Sequence, residues 1–459
     1  MKFESEINES FTMAEAIQEA QRCLRCKVPQ CKKGCPISND IPDWIHELKK
    51  GNLGNAISII RAKSNLPAVC GRVCGHEKQC EGSCVMGKKD RPVSIGKLER
   101  FVADFDSEIK LTHDDIPEKT RGKVAVVGSG PAGITVAGDL ARMGFAVEMF
   151  ESEPQCGGVL RYGIPEYRLP KEVVAREIRH IERMGVMIHR GTHIGNTGET
   201  MVEDLFTHGF DAVFLGLGSG KPRILDIPVM CDGERVMKDG KPMHCYYVPG
   251  VRLANHFLRR IELFHEGFIG HDEVSVREGM KTYVIGCGNT GMDACRTALR
   301  LGCEEVTCVY HKSMEEMTAL KAEYEDALNE GTKFVWHSAI TEIHVDKDLN
   351  IKEIILETTP PDGEKTVQTL PADRIIMAVG ATPHTKIVRN TEGLQSDEKG
   401  FLTTREVPYG MTSIKGVFAG GDVANRQATV VHAMRDAKQV AEGIAQYVDA
   451  MKLIEAINL

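Results

Sequence analysis

Residues 124–151 read VAVVGSGPAGITVAGDLARMGFAVEMFE, and the fold is decided there. Val124 to Val127 is a short apolar, β-branched run of the kind a buried parallel strand needs. Gly128-Ser129-Gly130-Pro131-Ala132-Gly133 follows where that strand must turn into a helix. In a G-x-G-x-x-G turn the first glycine permits the bend and the second lets a pyrophosphate approach the backbone. The third lets the helix pack against the strand. N–H groups at the helix start then face the phosphates. A helix is expected over 134–143, a stop at Gly144 and a second strand over 146–150. Glu151 follows, 18 residues past Gly133, close to the spacing at which a carboxylate receives two ribose hydroxyls. Strand, turn, helix, strand and acid all agree, so the stretch predicts a dinucleotide site rather than a ligand-free turn.

The same pattern recurs. Thr282 to Ile285 reads as a strand, Gly286-Cys287-Gly288-Asn289-Thr290-Gly291 as the turn, and 292–301 as the helix, stopped by Gly302. Two such units suggest two dinucleotides. The following strand, 306–310, ends differently. Twenty residues past Gly291 stand His311 and Lys312, with no carboxylate. A carboxylate would repel a 2′-phosphate and a cation attracts it, so NADP(H) is favoured over NAD(H). Arg296, one turn into the helix, is either a helper at that phosphate or a helix-surface residue. The segment 314–328 reads as an acidic helix with a solvated face, and 343–370 as hairpin strands turning at Pro360-Pro361-Asp362-Gly363.

Between and after these units lie segments of the first half. Cys156-Gly157-Gly158 leads to Arg161, a candidate for a pyrophosphate or a surface residue. Cys156 has no second thiol in its run, which favours an inert small thiol over a redox disulfide. Strands are expected at 211–218, 374–379 and 416–419. The last runs into Gly420-Gly421-Asp422, read either as a polyol-binding turn or as a plain Asp turn. Thr429 to Ala450 reads as a final helix, with apolar residues from Val430 to Val448 at helical spacing.

The N-terminal region is marked by sulfur. Eight of the fifteen cysteines precede residue 85. Cys23, Cys26, Cys31 and Cys35 are spaced C-x2-C-x4-C-x3-C-P, and Cys70, Cys74, Cys80 and Cys84 are spaced C-x3-C-x5-C-x3-C. A capping box at Thr12 and Glu15 starts a helix in which Ala16, Ile17, Ala20 and Leu24 repeat, delivering Cys23. Pro42 and Ala56 mark two further helices. Eight thiols suit two zinc sites, a disulfide framework or two [4Fe–4S] clusters. The Cys-Pro ending and a neighbouring flavin module favour clusters, since zinc carries no electrons. By the ferredoxin rule Cys23, Cys26 and Cys31 hold one cluster and Cys35 reaches the other. Arg22, Arg25, Lys27, Lys32, Lys33 and Arg72 nearby are either solvated surface or charge compensation for anionic clusters.

Composition bounds the rest. With 459 residues and a net charge of −8, two or three domains are expected and a nucleic-acid surface is not. The opening MKFESEINES is unlike a secretory signal, and no apolar run reaches membrane-spanning length. Reduced thiols then point to the cytoplasm.

The motifs VGSGPAG, CGGVLRYGIPEYRLPK, GCGNTGMDACRTALRLG and GVFAGGDVA, behind two four-cysteine groups, resemble the small (β) subunits of NADPH-dependent glutamate synthase over nearly the whole chain. The same architecture occurs in bifurcating ferredoxin:NADP oxidoreductases, sulfide dehydrogenase subunits and dihydropyrimidine dehydrogenase. The resemblance implies an α/β flavoprotein of two Rossmann-like domains behind a helical iron–sulfur domain. The implied layout is 1–115 for two [4Fe–4S] clusters, 121–248 with 371–459 for FAD, and an inserted 249–370 for NADPH. FAD would lie on Gly128, Gly130, Pro131, Ala132, Gly133, Glu151, Gly158, Arg161, Gly421 and Asp422, with Thr429, Val430 and on to Ala433 beside its ring. NADPH would lie on Gly286, Gly288, Asn289, Thr290, Gly291, His311 and Lys312; the family often has two arginines at the last two positions. One cluster would take Cys23, Cys26, Cys31 and Cys84. The other would take Cys35, Cys74, Cys80 and a non-thiolate ligand from Ile95-Gly96-Lys97-Leu98-Glu99, which makes Glu99 the candidate and leaves Cys70 over. The implied reaction moves electrons between NADPH, FAD, the clusters and a partner subunit or ferredoxin-like carrier. No amidotransferase nucleophile and no FMN barrel are expected in this chain, so it should not make glutamate alone. A redox-sensing role and self-assembly stay open.

Overall fold

The computed structural model describes residues 6, 7, 9–109, 116–196, 198–427 and 429–457. It begins with six helices. α1 (Met13–Gln21) opens on the expected capping box: Thr12 Oγ1 accepts the Glu15 N–H, and the Glu15 carboxylate accepts the Thr12 N–H at 2.8 Å. The helix stops short of Leu24, which is 60 % exposed, so the apolar repeat ends at Ala20 and Cys23 lies just past the last turn. α2 (Gln30–Gly34), α3 (Ile41–Lys49), α4 (Leu53–Arg61), α5 (Pro67–Val73) and α6 (Ile95–Ile109) follow. Apart from α2, which buries no residue, they carry buried apolar faces, and Trp44, Ile45, Leu48, Ile57, Ile60, Leu66, Leu98 and Val102 are all buried in this region. Each such side chain contributes about 1.5–3 kcal/mol by leaving water.

The first glycine turn joins β1 (Lys123–Val127) to α7 (Pro131–Arg142), and β2 (Ala146–Glu151) follows. After α8 (Lys171–Arg183) come β3 (Met187–Arg190) and β4 (Ala212–Leu215). The chain then leaves for a second set of elements. These are β5 (Val229–Cys231), β6 (Val251–Leu253), α9 (Ala254–His265), β7 (Lys281–Ile285), α10 (Asn289–Arg300) and β8 (Glu305–Val309). Next come α11 (Lys321–Asn329), β9 (Lys333–Val335), β10 (Ser338–Val345), β11 (Ile351–Thr358), β12 (Thr366–Pro371) and β13 (Arg374–Met377). Last are β14 (Val417–Ala419) and the long α12 (Val430–Ile457).

Two parallel sheets result, in the orders β14-β4-β1-β2-β3 and β6-β13-β7-β8-β9. A third sheet runs β12-β11-β10-β5 and ends on Glu234–Arg235. The chain divides into two compact units: Glu6–Arg161, Tyr167–Gly220 and Thr382–Leu459 form one, and Lys221–Ala381 with Tyr162–Glu166 the core of the other. The inserted unit is therefore wider than 249–370. The cause is β5, which pairs with β10 at Val229 and Ile343 and brings Ile227, Met243, Cys245 and Val248 into the β10–β11 core.

The N-terminal helices share the first unit with the β1 sheet, and buried polar contacts join them. The Asn65 amide donates to Asp139 at 2.8 Å, and the Ala68 N–H donates to the Glu177 carboxylate at 2.9 Å.

Two expectations in the inserted unit need correcting. The helix proposed over 314–328 covers only α11. The stretch before it folds back instead, with the Thr318 and Ala319 N–H groups donating to the Cys287 carbonyl and the Leu320 N–H to Asn289 Oδ1. Its acids divide: Glu315, Glu316 and Glu325 face solvent as expected, while others turn inward. Glu323, Asp326 and Glu330 surround Arg296, which is neither a surface residue nor free for a phosphate: it is 0 % exposed and paired at 3.1, 3.3 and 2.9 Å. A buried guanidinium needs such partners.

Candidate functional site

In the first turn a Cβ on Gly133 would lie 1.9 Å from the Gly128 carbonyl oxygen, so only glycine lets α7 start this close to β1. Gly128 itself has φ +99°, and nothing of the protein comes within 4 Å of a Cβ placed on Gly130. That open side is the room a pyrophosphate needs. Pro131 and Ala132 fill the first positions of α7. Glu151 is 5 % exposed and faces the turn: its carboxylate accepts the Ser129 N–H at 3.0 Å, the Ser129 hydroxyl and the Glu153 N–H. Ser129 also accepts the Gly157 N–H at 2.9 Å, which carries Gly157 and Gly158 to the turn. A Cβ on Gly158 would lie 2.9 Å from Gly130 Cα. Arg161 follows, half-buried, its N–H donating to the Gly158 carbonyl. Reading the sequence overlooked Ser129; the available signal was a hydroxyl at a variable position of the turn, beside an acid expected at the strand end.

Gly421 and Asp422 reach the same place from the C-terminal segment. A Cβ on Gly421 would lie 2.7 Å from Ala132 Cβ, and the Gly421 N–H donates to Asp436 at 2.6 Å. Burial, with the Asp436 charge beside it, pushes the Asp422 carboxyl up to about 6. Thr429 precedes α12, and its hydroxyl meets His432 Nδ1 at 2.6 Å; Val430 is the first residue of that helix.

The second turn repeats the first. A Cβ on Gly291 would lie 2.2 Å from the Gly286 carbonyl oxygen, and Gly286 has φ +115°. Gly288 precedes α10, whose first residues are Asn289 and Thr290; Asn289 accepts the Leu320 N–H at 2.8 Å. His311 and Lys312 are exposed just past β8. The Lys312 ammonium pairs with Glu316 at 3.1 Å, an exposed contact of small energy.

The sulfur region forms two sets. Cys23, Cys26, Cys31 and Cys84 line one pocket with Leu24, Ile41, Ile45 and Met86. Cys35, Cys74 and Cys80 lie around Glu99, whose charge each of them feels. Glu99 is buried. Among the described residues no hydrogen bond or ion pair reaches its carboxyl, and burial, with the Glu177 charge, pushes that carboxyl up to about 8. Burial also pushes the Cys31 and Cys35 thiols up to about 11, while the nearby backbone N–H groups of Lys32, Ile37 and Asn39 act the other way. The Arg25 and Glu81 N–H groups do the same for Cys23 and Cys80. Arg25, between Cys23 and Cys26, is held at φ +46°, a left-handed position. None of these donors could be read from the sequence.

All fifteen cysteines are free, so no disulfide framework exists. A tetrahedral zinc site with Zn–S of about 2.3 Å needs sulfurs roughly 4 Å apart. Among the described residues, one trio alone brings its ligand atoms within 4.8 Å of one another: Asp226, His244 and Cys245. There His244 Nδ1 already accepts the Tyr246 N–H and serves the local turn. Neither four-donor set is drawn together that tightly. Of the nearby cations, Arg22, Lys32 and Arg72 are drawn into pairs with Glu19, Asp40 and Asp104.

Solved structures similar in fold include thioredoxin reductases. That of Lactococcus lactis superposes with a TM-score of 0.50 at 22 % identity, over 71 % of this chain and 99 % of that one. That of T. acidophilum gives 0.51 at 19 %, over 72 % and 98 %. This likeness defines the fold class, a flavoprotein-type α/β pair of nucleotide-binding domains. Residues 1–111 match the family model described as dihydropyrimidine dehydrogenase domain II, 4Fe-4S cluster, and residues 122–437 match pyridine nucleotide-disulphide oxidoreductase. The glutamate synthase [NADPH] small chain of Halomonas elongata is 33 % identical over 97 % of this chain and 93 % of its own length. That of Escherichia coli is 32 % identical over 97 % and 94 %. The Escherichia coli NAD-dependent dihydropyrimidine dehydrogenase subunit PreT is 32 % identical over 97 % of both. This chain belongs to the pyridine nucleotide oxidoreductase family that includes the glutamate synthase small chains, and it is an oxidoreductase with an iron–sulfur domain. No described helix is long and apolar enough to cross a membrane.

Proposed function

We propose that this chain passes electrons between NADPH and a partner protein subunit by way of FAD and two [4Fe–4S] clusters. The observation that carries the reading is the gathering of the thiols into two sets, Cys23, Cys26, Cys31 and Cys84 lining one pocket and Cys35, Cys74 and Cys80 lying near the buried Glu99, in the same compact unit as the first glycine turn. When bound, the flavin accepts a hydride and the clusters relay single electrons. The chain supplies positions and charges. Gly128, Gly130 and Gly133 admit a pyrophosphate, Glu151 offers a carboxylate to a ribose, and Gly158, Arg161 and Asp422 close the FAD cradle. Thr429 and Val430 open the helix that would meet the flavin ring. Gly286, Gly288, Asn289, Thr290 and Gly291 form the NADPH cradle, with His311 and Lys312 facing a 2′-phosphate. Cys23, Cys26, Cys31 and Cys84 form one ligand set, and Cys35, Cys74, Cys80 and Glu99 the other. Backbone N–H groups near the sulfurs would stabilise anionic clusters held there.

The test is anaerobic purification followed by NADPH titration. The expected result is about eight iron atoms and one FAD per chain, with NADPH bleaching the flavin and then raising two reduced-cluster EPR signals. Zinc in place of iron, or a flavin that NADPH leaves oxidised, would end the proposal. Glu99→Ala should alter the spectrum of one cluster alone.

A further inference from the structure

We propose that Asp436 and Tyr409 form a buried clamp on the Gly421–Asp422 turn, with Asp436 a positioning residue for the polyol chain of FAD. The inference rests on the function proposed above and names two residues that function does not use.

Asp436 lies in the second turn of α12 and is 5 % exposed. Both of its carboxylate oxygens are engaged. Oδ2 accepts the Gly421 N–H at 2.6 Å, and Oδ1 accepts the Tyr409 hydroxyl at 2.7 Å. These are the short lengths of bonds to a charged acceptor. Burying a carboxylate is unfavourable even when it is paired, so an apolar side chain would pack α12 as well. It could not receive the Gly421 N–H, and that buried amide would lose this partner.

The turn is wedged between two helices. Gly421 stands at φ +71°, and a Cβ there would fall 2.7 Å from Ala132 Cβ at the start of α7. A Cβ on Gly420 would fall 2.9 Å from Asp436 Oδ2 on α12. The Ser219 hydroxyl adds a further tie, donating to the Asp422 carbonyl at 2.6 Å.

Tyr409 is fixed in its own right. Its carbonyl lies against Gly443, two turns beyond Asp436 on α12 and so on the same face. A Cβ on Gly443 would fall 2.3 Å from that oxygen. The Gly410 carbonyl accepts the Ala419 N–H at 2.9 Å, which ties the segment to the end of β14, just before the turn. The tyrosine therefore holds one oxygen of the carboxylate, the other oxygen holds Gly421, and Gly421 carries Asp422. Burial and the Asp436 charge together raise the Asp422 carboxyl to about 6, so the two acids are neighbours as well.

The test follows FAD release from diluted anaerobic holoprotein by the gain in free-flavin fluorescence. Asp436→Ala and Asp422→Ala should each release FAD about tenfold faster, the scale of one lost hydrogen bond to a charged group. The double variant should be no more than about twofold faster than the quicker single one, because residues acting as one unit are not additive. Asp436→Asn, whose side-chain oxygen still accepts the Gly421 N–H, should return to within about threefold of wild type. Tyr409→Phe should release FAD about fivefold faster. Where Asp436→Ala purifies without FAD, Tyr409→Phe takes its place in the double-variant comparison. Rates that multiply in the double variant would make Asp436 a general support of the fold and overturn the proposal. So would an Asn variant as fast as Ala, or unchanged release from Asp436→Ala or Tyr409→Phe. Wild-type protein that holds no FAD would instead remove the reading beneath it.

Discussion

Gly133 and Gly291 occupy the same place in two strand–turn–helix units, and a Cβ there would fall 1.9 and 2.2 Å from the carbonyl oxygen of the first glycine of its own turn. Both turns hang on the same backbone bonds: Gly128 N–H to the Phe150 carbonyl at 2.8 Å, and Gly286 N–H to the Val309 carbonyl at 3.0 Å. What differs is the end of the next strand. β2 closes on Glu151, buried and held by Ser129 and Glu153. β8 runs out into His311 and Lys312, exposed and with no carboxylate at either position. The turn is fixed by sterics, which leave one solution. The strand end is free to vary, and on the function proposed above it selects the ribose each turn would accept.

The largest expected effect attacks what the turns share. Gly133→Ala should cost about 1–3 kcal/mol through overpacking and yield protein without flavin, read by absorbance at 450 nm. Gly291→Ala should keep the flavin and lose its reduction by NADPH. If both variants lost both properties, the two turns would not be separate sites.

Next come the strand ends. The double variant His311→Glu/Lys312→Glu should lower the ratio of kcat/KM for NADPH over NADH by about tenfold or more, since 1.4 kcal/mol of charge preference is a factor of ten. Glu151→Gln should weaken FAD retention by about tenfold while leaving that ratio unchanged. Wild-type protein that used NADH as well as NADPH would break the contrast between the two ends.

A smaller effect depends on pH. Asp422 titrates near 6 in the folded protein, against 3.8 for an ordinary Asp. Between these values the folded state holds a proton that the unfolded chain has released, so this group makes stability fall as pH rises, with no further change above 6. Flavin-free Asp422→Asn should therefore melt higher than flavin-free wild type at pH 8, by on the order of 1–3 kcal/mol. The gap should close below about pH 4. A gap that widened at low pH would reverse the sign. The smallest effect belongs to the exposed Lys312–Glu316 pair, whose loss in Glu316→Gln should change stability by less than about 1 kcal/mol.

Both turns were legible from sequence because glycine at three fixed offsets has a steric cause that is local. The cap at Thr12 and Glu15 was legible for the same reason. Arg296 was misread because its partners, Glu323, Asp326 and Glu330, come from a helix that local periodicity placed wrongly. That helix begins late because residues 318–320 are recruited by Cys287 and Asn289, a tertiary demand invisible along the chain. The inserted unit was read too narrowly because β5 pairs with a strand more than a hundred residues away. The sulfur spacings named the donors, but the backbone around them was not legible: Arg25, between Cys23 and Cys26, adopts a left-handed conformation that its side chain gives no hint of.

The most direct test of the central claim counts nucleotides. Anaerobically prepared protein is passed through gel filtration, its FAD is quantified, and NADP+ is titrated calorimetrically into the same sample. Two separate cradles require one FAD per chain that survives filtration and one further NADP+ site that leaves the FAD in place. Release of FAD by NADP+, or two FAD per chain and no NADP+ binding, would contradict the account.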